Sequence, residues 1–106
     1  KQIPAAIIAE GDEWLAFKDI HPQAPIHVLV VPKQHIAGVA SAPDIETAML
    51  GSLLRGAHIV ARTLGIDESG YRIIINQGSD GGQVIPHLHL HVLGGTRLGP
   101  KIVSSN

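Results

Sequence analysis

Three histidines occupy alternate positions in Pro86-His87-Leu88-His89-Leu90-His91-Val92-Leu93, and no other stretch of the chain is so well suited to chemistry. In an extended strand, successive side chains point to opposite faces. The imidazoles then fall on one face and Leu88, Leu90 and Val92 on the other. A single buried histidine is usually a core residue satisfied by one hydrogen bond. Three in register are costly polar rings that packing does not require, so the row reads as a site.

Such a row supports two kinds of chemistry. The first is metal binding. Alternate residues on a strand have Cα atoms about 6.6 Å apart, and the outer pair about 13 Å, whereas zinc holds its nitrogens at about 2.0–2.1 Å. Two rings can converge as a His-x-His pair, but a third ligand must come from elsewhere, and no carboxylate follows the row. The second is nucleophilic and acid–base chemistry at phosphorus. A neutral imidazole attacks phosphorus well when its other nitrogen is held as a donor, typically to a backbone carbonyl. Flanking rings then orient it, donate to phosphate oxygens or protonate a leaving group. By position His89 is the nucleophile, with His87 and His91 on either side.

Composition narrows the setting. A chain of 106 residues forms one core and not two, so residues 1–106 read as a single domain. No apolar run approaches the roughly 20 residues of a membrane helix. No secretory or transit segment opens the sequence, and it starts on Lys1 rather than Met, so a preceding piece is expected. The absence of cysteine excludes disulfides, thiolate metal sites and a cysteine nucleophile, and fits an intracellular protein, expected in the cytoplasm. A net charge of −1, with eight thinly spread Lys and Arg, argues against nucleic acid as a partner. A small anionic ligand is compatible, its phosphate held by backbone N–H groups and histidines.

The elements that must position the row follow from patterning. Ala5–Ala9 and Trp14–Ile20 form a hairpin across the turn at Gly11-Asp12, and Leu15, Phe17 and Asp19 share a face of the second strand. Ile26–Val31 is a β-branched third strand between Pro25 and Pro32. Ser41-Ala-Pro-Asp44 reads as a helix start, and from Ile45 the residues Met49, Leu53, Ala57, Val60 and Leu64 recur at helical spacing up to Gly65. Leu50, Leu54 and Ile59 widen that stripe, so the helix is expected to meet the sheet and a second surface, such as another subunit. Tyr71–Asn76 is a fourth strand, and Gly78–Gly82 leads into the histidine strand behind Pro86. One helix among five strands predicts an α+β domain with a largely antiparallel sheet.

Several residues outside the row are candidates. A carboxylate closing a strand, as Asp19 does, can accept hydrogen bonds from adjacent ribose hydroxyls; alone it reads as a solvated turn acid. Ile3, Phe17 and Ile20 suit an apolar slot for a base, though each alone is more often core. Asn76 reads equally as a turn residue bonding its own backbone. His27 shares a strand face with Leu29 and Val31 and either supports the triad or is a satisfied core histidine. His35 is open, His21 falls in a solvated turn, and His58 is an ordinary residue of the helix. The glycine loop carries no P-loop lysine, and only its place before the triad makes backbone phosphate contacts plausible.

The segment His87-Leu-His89-Leu-His91-Val-Leu93 resembles the histidine-triad (HIT) pattern in full. The surrounding chain is similar to the Hint branch, the histidine-triad nucleotide-binding proteins. Phe17-Lys-Asp19-Ile20, Pro22-Gln-Ala-Pro25, His27, Pro32-Lys-Gln-His35, Asn76, Gly81-Gly-Gln83 and His91-Val-Leu-Gly-Gly95 fall in that family's order. The similarity runs from Lys1 to about Pro100. It implies a HIT-like fold, a homodimer joined through the helix over 43–64 and a sheet edge with the sheet extended across it, and purine nucleotides of the AMP or GMP type as ligands. It implies a nucleoside phosphoramidase, or nucleotidyl hydrolase, working through a covalent nucleotidyl-histidine on His89. Hydrolysis of dinucleoside polyphosphates and nucleotide binding with little catalysis are the alternatives. On the same resemblance His87 offers the carbonyl that fixes the tautomer of His89. His91 and the Gly82-Gln83-Val84 loop contact the phosphate, Asn76 belongs to the phosphate site, and no metal or other cofactor is needed. Val84 stands where many relatives carry a polar residue. The tail after Arg97 lacks the tryptophan of animal members and looks closer to bacterial ones. The family segment that precedes the position of Lys1, and helps close the base pocket, falls outside this sequence.

Overall fold

The structure, a computed structural model, describes residues 6–41 and 47–100. Ile3 and the expected helix start over 42–46 lie outside the described residues. Five strands form one antiparallel sheet: β1 (Ile7–Glu10), β2 (Trp14–Lys18), β3 (Ile26–Pro32), β4 (Tyr71–Ile75) and β5 (Leu90–Gly94), in the order β1-β2-β3-β5-β4. A short 3-10 turn at Val39–Ser41 precedes the helix α1, which is described from Thr47 to Thr63. The α+β architecture expected from the sequence is therefore the one found.

Strand period divides the sheet into two unlike faces. Ala16, Val28, Val30, Leu90 and Val92 are buried on one face and join Leu53, Ala57 and Val60 of α1 in the core. Fully burying a side chain of this size stabilises the fold by about 1.5–3 kcal/mol. Trp14 reaches this layer because Gly56 of the helix is bare: a Cβ there would lie 2.6 Å from the indole Cε2. The opposite face carries Leu15, Phe17, Leu29 and Val31, with His27 and His91, and no helix covers it among the described residues.

The end of the helix is the one expected. Gly65, at φ +77°, donates to the Arg62 carbonyl while the Ile66 N–H reaches back to Ala61 at 2.9 Å, a glycine cap with the buried Ile66 as its apolar contact.

Among the strand boundaries that differ from the sequence reading, three bear on the site. The second strand stops at Lys18 because the Asp19 carboxylate takes the His21 N–H in a turn. The fourth stops at Ile75, where the Asn76 side chain turns to the following loop. The histidine strand starts only at Leu90, so His87 and His89 stand ahead of it. Pro86 offers no N–H, and the Leu88 N–H bonds the Ile36 carbonyl, in the loop after β3, instead of a strand partner. The alternation survives all the same: Leu88, Leu90 and Val92 are buried, and the three rings are half-buried on the other side.

Candidate active site

The orientation of His89 is set by backbone. His89 Nδ1 lies 2.8 Å from the His87 carbonyl oxygen. A carbonyl only accepts, so Nδ1 carries the proton and Nε2 keeps its lone pair. That is the tautomer suited to attack on phosphorus. His87 itself faces its own chain, with Nδ1 3.0 Å from the Leu88 carbonyl, and its ring meets His35 edge-on at 4.9 Å.

A second set of bonds fixes His91. The Gln23 N–H donates to His27 Nδ1 at 3.0 Å. With that lone pair occupied, the proton of neutral His27 sits on Nε2, which lies 2.9 Å from His91 Nδ1. His27 therefore donates to His91, and the proton of His91 is left on its own Nε2, a donor suited to an anionic oxygen. Asp19 Oδ2 lies 3.4 Å from the same His27 nitrogen, and its Oδ1 accepts the His21 N–H at 2.8 Å. Burial pushes His91 down to about 4, helped by neighbouring His89 and His27 and opposed by Asp19. Burial likewise lowers His27, against the attraction of Asp19. Both rings are neutral at physiological pH.

Asp19, His27 and His91 also bring one potential ligand atom each within 4.8 Å of one another, so this cluster is the place where a metal ion would be held. The bonding works against it. A ligating His27 Nε2 must be free of its proton, and the Gln23 N–H on Nδ1 keeps the proton there.

Beside the triad the uncovered sheet face opens into a cleft of about 750 Å³. Leu15, Phe17, Leu29 and Val31 form its floor, while His87 and His89 lie on one side and Asp19 and Ile20 at one end. The sequence candidates thus separate into groups. Phe17, Asp19, Ile20, His87 and His89 share the cleft; His27 and His91 bond each other directly, and His27 lies 3.4 Å from Asp19. Asn76, Gly82 and Gln83 belong to the glycine loop: Asn76 Nδ2 donates to the Gly81 carbonyl at 2.7 Å, and Gly82 has φ +80°. Val84 is 89% exposed on that loop. His27 is both things the sequence allowed, a satisfied buried ring and a support of the triad. Lys33, His35 and Ile85 line the cleft without having been singled out for it, and His21, taken as a turn residue, lines it too. Their one available signal was parity with Leu29 and Val31 or closeness to the triad. His58 bonds Tyr71 Oη at 2.6 Å and belongs to the packing of α1 on β4.

A histidine row on the open face of such a sheet is a family's signature, and comparison agrees. The sequence profile of the HIT domain matches residues 1–98. An uncharacterized HIT-like protein of Synechocystis is 50% identical over 95 residues, which span 90% of this chain and 82% of that protein. The solved structure of a HIT family hydrolase from Clostridium thermocellum is 46% identical with a TM-score of 0.87, covering 95% of this chain and 88% of the other. The histidine triad nucleotide-binding protein of Candida albicans is 28% identical with a TM-score of 0.75, covering 98% and 79%. The chain belongs to the HIT domain family.

Proposed function

We propose that this protein is a nucleotidyl hydrolase that cleaves purine nucleoside phosphoramidates through a covalent intermediate on His89. The observation that carries the reading is the bond from His89 Nδ1–H to the His87 carbonyl, which leaves Nε2 as a lone pair on a ring lining the cleft. That lone pair forms a bond to the α-phosphorus as the P–N bond to the amine breaks, and the amine leaves with the bonding pair and a proton taken from solvent. Water then attacks phosphorus, the N–P bond to His89 breaks, and a nucleoside monophosphate departs. The His91 Nε2–H donates to a phosphoryl oxygen throughout. The apolar floor suits a base, and the remaining lone pairs of Asp19 suit the ribose hydroxyls. The hydrolase and nucleotide-binding names of the Clostridium thermocellum and Candida albicans relatives support the same reading.

A second copy completes the proposal. Among the described residues β4 pairs only with β5, and Leu54 and Ile75 are 48% and 38% exposed. An apolar edge of this kind suits two-fold pairing that extends the sheet.

The test is intact-mass spectrometry after mixing the protein with adenosine 5′-phosphoramidate. A nucleoside-monophosphate adduct is expected that disappears on His89→Asn; turnover without any dependence on His89 overturns the reading. Comparing that substrate with diadenosine polyphosphates identifies the preferred leaving group.

A further inference from the structure

His87 and His89 precede β5, so no strand ladder holds the segment that carries the nucleophile. Something else must fix it. Among the bonds that hold residues 85–89 are His87 N–H to the Ile85 carbonyl at 2.8 Å, Leu88 N–H to the Ile36 carbonyl, His89 Nδ1–H to the His87 carbonyl, His87 Nδ1 to the Leu88 carbonyl at 3.0 Å, and, from outside, Gln83 Nε2–H to the Ile85 carbonyl at 3.1 Å. The last comes from a side chain whose polar groups are all engaged. The other Gln83 Nε2 hydrogen is donated to the Ala37 carbonyl at 2.9 Å, and Oε1 accepts the Gly78 N–H at 2.9 Å. One carboxamide thus joins the glycine turn, the loop after β3 and the residue two before His87. Ile85 O receives both Gln83 and His87, and His87 O in turn orients His89.

From this bonding we infer that Gln83 is a positioning residue for the nucleophile, not a phosphate ligand through its side chain. It clamps the segment ahead of β5 so that the His87 carbonyl stays on His89 Nδ1. The inference rests on the reading of His89 as nucleophile, but its geometry can be checked without turnover.

Two variants separate the parts of the clamp. Gln83→Met keeps the length of the side chain and removes all three bonds. Gln83→Glu keeps an acceptor for the Gly78 N–H and removes both donors. The primary measurement is the pair of ring-nitrogen chemical shifts of His89 by NMR, which report the tautomer. The unaltered protein is expected to show one tautomer, protonated on Nδ1, and both variants a mixture. Formation of the His89 adduct is expected to slow about 10- to 100-fold, with AMP affinity changed less than about threefold because the side chain does not touch the ligand. Parent-like tautomer and adduct rate in the variants overturn the inference, as does a loss confined to AMP affinity. Should both variants unfold, the unaltered protein still decides: the Gln83 side-chain amide protons must exchange with solvent far more slowly than those of exposed Gln34, and equal rates overturn the clamp. If His89→Asn retained full turnover, the functional reading would fall while the tautomer result stood by itself.

Discussion

His27 and His91, 64 residues apart in sequence, meet through Nε2 and Nδ1 at 2.9 Å, and a backbone N–H on the far nitrogen of His27 decides which of them donates. Two protons are thereby placed without any charge. His91 keeps its proton on Nε2, while His89, fixed independently by the His87 carbonyl, keeps a lone pair there.

Removing that lone pair is the most direct trial of the mechanism. His89→Asn is expected to lower phosphoramidate turnover on the order of 10³-fold or more, because it removes the ring whose Nε2 lone pair is proposed to attack phosphorus. AMP affinity, measured by calorimetry, should change little, since on the proposed reading base and ribose meet the cleft at Phe17 and Asp19 rather than at His89.

The relay predicts a contrast between two variants of His27. His27→Phe fills the buried site but leaves His91 Nδ1 without its donor, so the His91 proton is free to move between nitrogens. Turnover should fall about 10- to 100-fold. His27→Gln places an amide N–H near the former Nε2 and should recover much of the loss. Equal activity in the two variants would show that the ring serves packing alone.

Acid should destabilise the protein through the same pair. His91 titrates near 4 in the folded protein against 6.5 ordinarily, and His27 is shifted the same way. Between those values the unfolded chain binds protons that the folded one refuses, so the free energy of unfolding rises with pH. This contribution is complete above about pH 6.5 and is lost as pH falls towards about 4. Urea midpoints across this range should follow that slope, and His91→Asn should flatten it.

Much of this was legible along the chain because period-two and period-3.6 patterns are local. Leu88, Leu90 and Val92 are each at most 1% exposed, as their alternation with the histidines requires, and Gly65 ends the helix where glycine favours a positive φ. What escaped is non-local. Where the histidine strand begins depends on the Ile36 carbonyl capturing Leu88, a contact 52 residues away that no repeat announces. Gln83 reads as a loop residue until Ala37 is beside it. The cleft floor was hidden by ambiguity of another kind. Leu15 and Val31 alternate as core residues do, and only the absence of a second packing layer over them among the described residues shows that they face a cleft.

The glycine loop tolerates no Cβ at one place where the backbone closes on itself. At Gly81 a Cβ would lie 2.3 Å from the Gln77 carbonyl oxygen, and backbone cannot swing aside as a side chain does. Gly81→Ala should displace the turn that Gln83 and Asn76 both grip, weakening AMP binding measurably and costing about 1–3 kcal/mol of stability. Gly51→Ala, in open space on the helix, is the control and should be neutral or slightly stabilising.

The proposed dimer makes the final prediction. Leu54 of α1 and Ile75 of β4, with Leu50 and Val39, line a small apolar pocket that a second molecule would cover in the proposed dimer. Placing a charge on each protomer at Leu54→Glu sets two carboxylates near the same two-fold axis, where neither is solvated if the surfaces close. Light scattering after gel filtration should give a dimer for the unaltered protein and a monomer for Leu54→Glu at tens of micromolar, with the fold retained by circular dichroism. A monomer before the substitution would remove this interface from the proposal while leaving the chemistry at His89 untouched.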